Sequence, residues 1–242
     1  MKKLALIFLV LVSCSGTMIE FEESNMAPAS TLLTISGAYT WCTMSANALL
    51  NWPNARDSWT ADNYDLESTS VEDIGAKNTL TLYTVYRAGI VFDISALPSI
   101  ATIDSVFIKL FNEGGAQTSW GVAIYRAPYL KALVNSTSDY RFCHGVGEPG
   151  QGVPFDILTN STSLVAGTNT FKVNDLPEND WYGGSYVSYG VGNWDDDYLN
   201  NAPSLFENNT STFAFNTTAT KLLIYYTLST PTVNSPKIYS IF

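Results

Sequence analysis

Three consecutive carboxylates, Asp195, Asp196 and Asp197, stand between Asn193 and the pair Asn200 and Asn201. Oxygen donors of this kind are what a calcium ion takes. The spacing is not that of an EF-hand loop. Consecutive residues of a strand point to opposite faces, so all three could coordinate one ion only from a loop; the competing reading is three solvated loop carboxylates. Trp194 beside them, and Trp181-Tyr182 before them, lie in polar, Gly- and Asn-rich surroundings. Exposed aromatic faces there would stack on sugar rings; otherwise these rings cover the edge of a core. Paired carboxylates could also serve as acid and base at a glycosidic bond, with Asp175, Glu178 and Asp180 or the Asp195 to Asp197 run as candidates. Any acidic protein carries such clusters. His144 is the only histidine. It permits no two-histidine zinc site, and no Gly-x-Ser-x-Gly elbow accompanies it, so in its Gly-rich loop it reads as structural or solvent-facing. The residues offer binding chemistry, and no enzyme is expected.

The cysteines must be read with the N-terminus. Lys2 and Lys3 precede an unbroken apolar run over residues 4–12, the length of a signal-peptide core and too short to span a membrane as a mature helix. The run ends Leu11-Val12-Ser13-Cys14, which resembles a bacterial lipobox, where cleavage falls before the cysteine and its thiol carries lipid. The alternative is ordinary secretory cleavage near Gly16, which discards Cys14. Both readings place the protein outside the cell, at the surface or beyond it. Cys42 and Cys143 then remain as an even pair in an oxidising compartment. A bridge between them would close a loop of about 100 residues, worth about 4 kcal/mol in the chain-entropy model. The alternative is two buried thiols.

A formal charge of −10, made more negative by loss of the two leader lysines, argues against nucleic acid and against anionic lipid as partners. Membrane attachment is expected only through a lipid on Cys14. Asn-x-Ser/Thr sequons begin at Asn135, Asn160, Asn208, Asn209 and Asn216. A chain this rich in Asn, Ser and Thr supplies nearly that many by composition alone, so they mark surface loops more than glycosylation.

The elements that must position these residues are strands. Leu80, Leu82 and Tyr86 alternate with Thr79, Thr81 and Tyr83. Ile90, Phe92 and Ile94 alternate with Val91 and Asp93, and Val106, Ile108 and Leu110 with Phe107 and Lys109. Val122 and Ile124, then Val187, Tyr189 and Val191, Phe213 and Phe215, and Leu222, Ile224 and Tyr226 repeat the pattern. β-branched and aromatic residues fill these period-2 runs, and Gly, Pro, Asn and Ser punctuate them. Residues 31–45 could form a further strand, 45–50 a short helical turn, and 51–65 are turn-rich. Many short strands with turns between them predict an all-β antiparallel sandwich of jelly-roll type.

One block is more particular: Tyr86-Arg87-Ala88-Gly89-Ile90-Val91-Phe92-Asp93-Ile94-Ser95-Ala96-Leu97-Pro98, followed by Ala101-Thr102-Ile103-Asp104-Ser105-Val106-Phe107-Ile108-Lys109-Leu110. It resembles the core of DNRLRE-type domains, jelly-roll-like sandwiches of bacterial and archaeal surface proteins, some of whose relatives are classed as carbohydrate-binding modules. Ala123-Ile124-Tyr125-Arg126, Trp194-Asp195-Asp196-Asp197-Tyr198 with Ala202-Pro203, and Leu222-Leu223-Ile224-Tyr225-Tyr226 follow in the expected order. The family's name-giving hexapeptide is not readable here, and residues 141–154 have no counterpart, so the resemblance implies a fold rather than a ligand.

The expected organisation is a signal peptide at 1–16, a spacer and β-prone segment at 17–56, the sandwich at 57–229 and a tail at 230–242. The expected function is a non-enzymatic structural or adhesive protein of the cell exterior, such as a fibre or coat subunit. In that role residues 31–41 or 230–242 would add a strand to a neighbouring copy, or else fold back on their own sandwich. Its alternatives are a carbohydrate-binding surface lipoprotein and a glycan-active enzyme.

Overall fold

The computed structural model describes residues 29–58, 60–66, 72–114, 120–127, 140, 143, 157–161, 164–173, 176, 184–215 and 218–228. Strands dominate: β1 (Thr31–Ser36), β2 (Thr40–Leu49), β3 (Asn63–Leu66), β4 (Glu72–Asn78), β5 (Leu82–Asp93), β6 (Ala101–Gly114), β7 (Val122–Arg126), β8 (Ile157–Ser161), β9 (Gly167–Val173), β10 (Tyr186–Asn193), β11 (Asn208–Ala214) and β12 (Lys221–Leu228). Between β2 and β3 lies the five-residue helix α1 (Trp52–Arg56). Its first turn contains Pro53 and is capped by Asn51, whose side chain accepts from the Asn54 N–H at 3.1 Å. No helix among the described residues is long and apolar enough to cross a membrane.

All pairings are antiparallel, and the fold is the all-β sandwich that the period-2 runs predict. One layer runs β3-β2-β5-β10-β7-β8 and the other β1-β12-β6-β9. β4 and β11 pair with each other and link β5 to β6 at one side. The space between the layers is filled by the residues whose alternation announced it: Ile90, Phe92, Val106, Ile108, Leu110, Val122, Ile124, Val187, Tyr189, Val191, Phe213, Phe215, Leu222 and Ile224 are all buried in one cluster. Phe92 meets Tyr189 edge-on, with ring centroids 6.3 Å apart.

The other face of the first layer is also covered. Cys42, Met44 and Ala46 of β2, Val85 of β5, and Trp52 and Ala55 of α1 form a second cluster with Tyr140 and Cys143. β5 is thus buried on both faces, which explains why Val91, on the side opposite Phe92, is as inaccessible as its neighbours. In-register glycines admit the covering chain. Gly89 of β5 pairs with both Cys42 and Gly190, and a Cβ on Gly190 would overlap the Cys143 carbonyl.

Three expectations are corrected. Residues 31–49 belong to the sandwich: β1 pairs with β12 and β2 with β5, so the fold begins well before residue 57. Residues 31–41 are consequently engaged in their own sheets and are not an arm held out for a neighbour. Residues 45–50 do not form a helical turn; through Leu49 they continue β2, paired from Ser45↔Tyr86 to Leu49↔Leu82, because the ladder on β5 outweighs the helix-favouring Ala and Leu.

Candidate functional site

Two constellations lie on opposite faces of β5 at adjacent residues. Arg87 points into the second cluster. Its guanidinium forks onto Asp197, with Nε donating to Oδ2 at 2.7 Å and a terminal nitrogen to Oδ1 at 2.6 Å. Both side chains are fully buried. The same terminal nitrogen donates to the Arg56 carbonyl at 2.6 Å, and the guanidinium lies 4.2 Å from the Tyr140 ring centroid. Tyr140 donates to the Ala55 carbonyl at 3.0 Å, and Arg56 Nε donates to the Asp197 carbonyl at 2.6 Å. Burial alone would lower the pKa of Arg87; the facing Asp197 carboxylate and its hydrogen bonds outweigh that, and the net shift is upward. Burial pushes the Tyr140 and Tyr125 hydroxyls up from their ordinary range. This cluster ties β5, α1 and the segment after β10 together.

That segment is a single π-helical turn, Trp194–Tyr198, capped by Asn193, whose side chain accepts from the Asp196 N–H at 2.9 Å. The turn sends its three carboxylates to three separate places. Asp195 accepts from the Gly121 N–H at 2.7 Å. Asp196 accepts from the side-chain amides of Asn193 at 3.0 Å and Asn209 at 2.9 Å. Asp197 goes to Arg87. No group of three or more metal-type ligands converges among the described residues, and each carboxylate of the run is engaged in a different structural tie. Burial, with only amides as partners, raises the pKa of Asp196 to about 7.

The second constellation is open. The other face of β5 presents Tyr86, and the register continues outward through Ser45 to Asn63 and inward to Gly75 and Thr210. On this side a groove of about 630 Å³ opens, lined by Thr43, Met44, Ser45, Asn63, Tyr64, Asp65, Asp73, Tyr86 and Thr212. Tyr64, Asp65, Tyr86 and Thr212 are half-buried, while Asn63 and Asp73 are exposed. Asn63 donates to the Ser45 hydroxyl at 3.2 Å, Thr212 to Asp73 at 3.0 Å, and Lys77 sits 4.8 Å from the Tyr86 ring centroid. Gly75 makes the adjoining β4–β11 contact possible: its φ is +138°, and a Cβ there would strike the Asn209 carbonyl. The groove combines the Tyr86 ring with hydroxyl, amide and carboxylate groups, while the Tyr64 ring turns to the other face and packs on the second cluster.

Trp194 is half-buried and stacks on Tyr198 at 4.4 Å with rings 12° from parallel, and it does not line the groove. Trp181 and Tyr182 lie outside the described residues, as do Cys14, His144, Asp175, Glu178, Asp180, Asn135 and Asn216. Asn160 on β8 and Asn208 on β11 are exposed. Asn209 is buried with its amide donated to Asp196, so a glycan there would have to displace an internal bond. Cys42 and Cys143 are both buried in the second cluster. Sequence reasoning missed the groove because β3 was read as turn. Its signal was the Asn63-Tyr64-Asp65 triplet, too short to show a period.

Against protein-family models and against curated proteins the chain finds no match.

Proposed function

We propose that this chain is a non-enzymatic adhesive module of the cell exterior that holds a carbohydrate in the groove over Tyr86. The observation that carries the reading is the pairing, in one open cleft, of the half-buried Tyr86 ring with Asn63, Asp65, Asp73 and Ser45. A sugar presents apolar C–H faces and a rim of hydroxyls. Aromatic rings match the first, and planar polar side chains with spare donors and acceptors match the second. The resemblance of the Arg87 to Pro98 block to surface-protein sandwiches, and the leader with its lipobox-like end, agree with a site displayed outside the cell. An acidic, lysine-poor chain suits a neutral or weakly polar glycan better than a polyanion.

The test is a glycan array probed with the mature protein, with Tyr86→Ala and Asp73→Ala as controls. Binding to a defined set of glycans that both substitutions abolish is the expected result. Binding that survives both would exclude the groove, and release of reducing sugar from a bound glycan would replace the module with an enzyme. Lipidation at Cys14 is tested separately, by the mass of the N-terminal peptide from membrane-associated protein.

A further inference from the structure

The outer face of the second layer gathers positive charge on an acidic chain. Val106, Ile108 and Leu110 of β6 point into the inter-layer core, so Phe107, Lys109 and Phe111 point away from it. The register sets Lys109 directly opposite Lys221 of β12, and Phe107 between Leu223 of β12 and Lys172 of β9. Lys109, Lys172 and Lys221 are three of the six lysines beyond residue 16, in a chain whose formal charge is −10. Like charges directly opposite in a ladder destabilise it. Among the described residues none of the three has an ion-pair partner. Their neighbours in the ladder, Ser36, Thr170, Phe107 and Leu223, bring no carboxylate. Beside the lysines runs an apolar strip, where the half-buried Phe107 and Tyr225 rings meet edge-on at 5.8 Å. An apolar strip flanked by unpaired lysines is complementary to a short segment that alternates apolar and acidic residues.

The chain carries such a segment, Ile19-Glu20-Phe21-Glu22-Glu23, in a stretch without lysine or arginine from residue 17 to residue 30. That stretch enters the fold in this same layer. The Ser30 hydroxyl donates to Asp104 of β6 at 2.7 Å, and Thr31 opens β1 opposite Tyr226 of β12. Thr34 is level with Leu223, Phe107 and Lys172, and Ser36 with Lys221 and Lys109. At ladder spacings all three lysines lie within about 20 Å of Thr31. Glu23 stands eight residues before Thr31 and Glu20 eleven, which reach at most about 28 and 38 Å. Other segments fit less well. Residues 229–242 contain no Asp or Glu and add Lys237. The acidic stretch Asp175, Glu178 and Asp180 is anchored on the inner side of the sheet, with Leu176 packed on the inter-layer core and Gly184 beside Ile94. A second copy offers the same acidic segment, but the seven residues 24–30 hold the chain's own at an effective concentration of about millimolar.

We propose that residues 19–23 of this same chain lie as a strap across the outer face of the second layer, paired with Lys109, Lys172 and Lys221. Alternation turns Ile19 and Phe21 toward the strip of Phe107 and Leu223, and the long lysine stems rise beside them to the carboxylates of Glu20 and Glu22. The strap relieves the repulsion between Lys109 and Lys221 and takes the apolar strip out of water. It is an electrostatic latch, closed at low ionic strength and released by salt. This goes beyond the glycan reading and stands or falls independently of it, since the groove residues are not used.

The experiment follows amide hydrogen exchange of residues 19–23 in the mature chain. Three variants are compared with the parent: Glu20→Lys/Glu22→Lys/Glu23→Lys, Lys109→Glu/Lys172→Glu/Lys221→Glu, and the two sets combined. Each reversal alone should speed exchange about tenfold, as should raising the salt to about 1 M, and the combined variant should return to the parental rate. The glutamate set touches none of the strands, so it decides the matter even if the lysine set melts early. Carbodiimide, which joins a carboxylate to an amine it touches with loss of water, should link Glu20, Glu22 or Glu23 to the three lysines within one molecule, in a yield independent of protein concentration. Exchange unchanged by the glutamate reversal, or a combined variant that melts with the parent yet exchanges like the single sets, would overturn the proposal. So would links found only between copies in a mixture of light and heavy protein, or links from the three lysines only to other carboxylates.

Discussion

Arg87 and Tyr86 are neighbours on one strand, and they open onto regions of opposite character. Around Arg87 every chemically interesting group is spent on another: the guanidinium on Asp197, Arg56 and Tyr140, the Tyr140 hydroxyl on Ala55, and the aspartates of the π-turn on three separate partners. Around Tyr86 the groups are similar in type, yet they line an open cleft, with Asn63 and Asp73 exposed to water. The difference teaches that residue type does not make a site. A carboxylate beside an arginine in a sealed cluster is architecture, while an aromatic ring and a carboxylate in an open cleft can still accept a ligand.

The comparison is sharpened first by cutting the sealed side. Arg87→Ala leaves Asp197 buried without its cation and should cost about 3–5 kcal/mol in denaturant unfolding. Replacing both partners with apolar residues, Arg87→Met with Asp197→Leu, should return most of that, because the penalty belongs to the orphaned charge more than to the lost pair. A double variant no better than Arg87→Ala would mean that the pair is worth its desolvation. Phe92→Ala serves as the apolar reference. It opens a cavity against Tyr189 and should also cost about 3–5 kcal/mol, with no partner substitution able to restore it.

Next comes the redox state of the second cluster. If Cys42 and Cys143 are oxidised to each other, the intact mass under non-reducing conditions should lie about two daltons below the reduced value, and reduction should cost about 4 kcal/mol. Two thiols that alkylate in the native protein would rule this out.

A smaller effect is expected at Asp196. Its folded pKa, about 7, lies above the ordinary aspartate value, so the folded state holds the proton more tightly than the unfolded one. Its contribution is full below about pH 4 and is lost as pH rises through 7. The parent should therefore lose about 1–3 kcal/mol more than Asp196→Asn between pH 5 and pH 8. Parallel pH profiles for the two proteins would show that Asp196 does not titrate in this window.

What could be read beforehand follows from periodicity. The inter-layer core was legible because Phe92, Ile108, Val191 and Ile224 each sit in a run that alternates every second residue, and burial on one face is what such alternation means. The second cluster was not. Arg87 in a strand reads as a surface residue until its partner, 110 positions away, is known. Cys42, Ala46, Ala55 and Cys143 are too small and too scattered to announce a core. Asp195 to Asp197 drew attention as a possible ion site because the run is visible, while the π-turn that spreads the three apart is not. The groove draws on five strands, none of them distinctive alone, and its register became readable only once β3 was seen beside β2.

The open side gives the smallest change in stability and the most direct test. Tyr86→Ala removes a half-buried ring from the groove wall and should cost about 1 kcal/mol or less. The decisive measurement is calorimetric titration of the best glycan from an array into the parent, Tyr86→Ala and the Arg87→Met/Asp197→Leu double variant, each confirmed folded at the working temperature. The account predicts that Tyr86→Ala loses binding at near-parental stability, while the double variant binds as the parent does. Binding that tracks the Arg87 cluster, or persists without Tyr86, would contradict it.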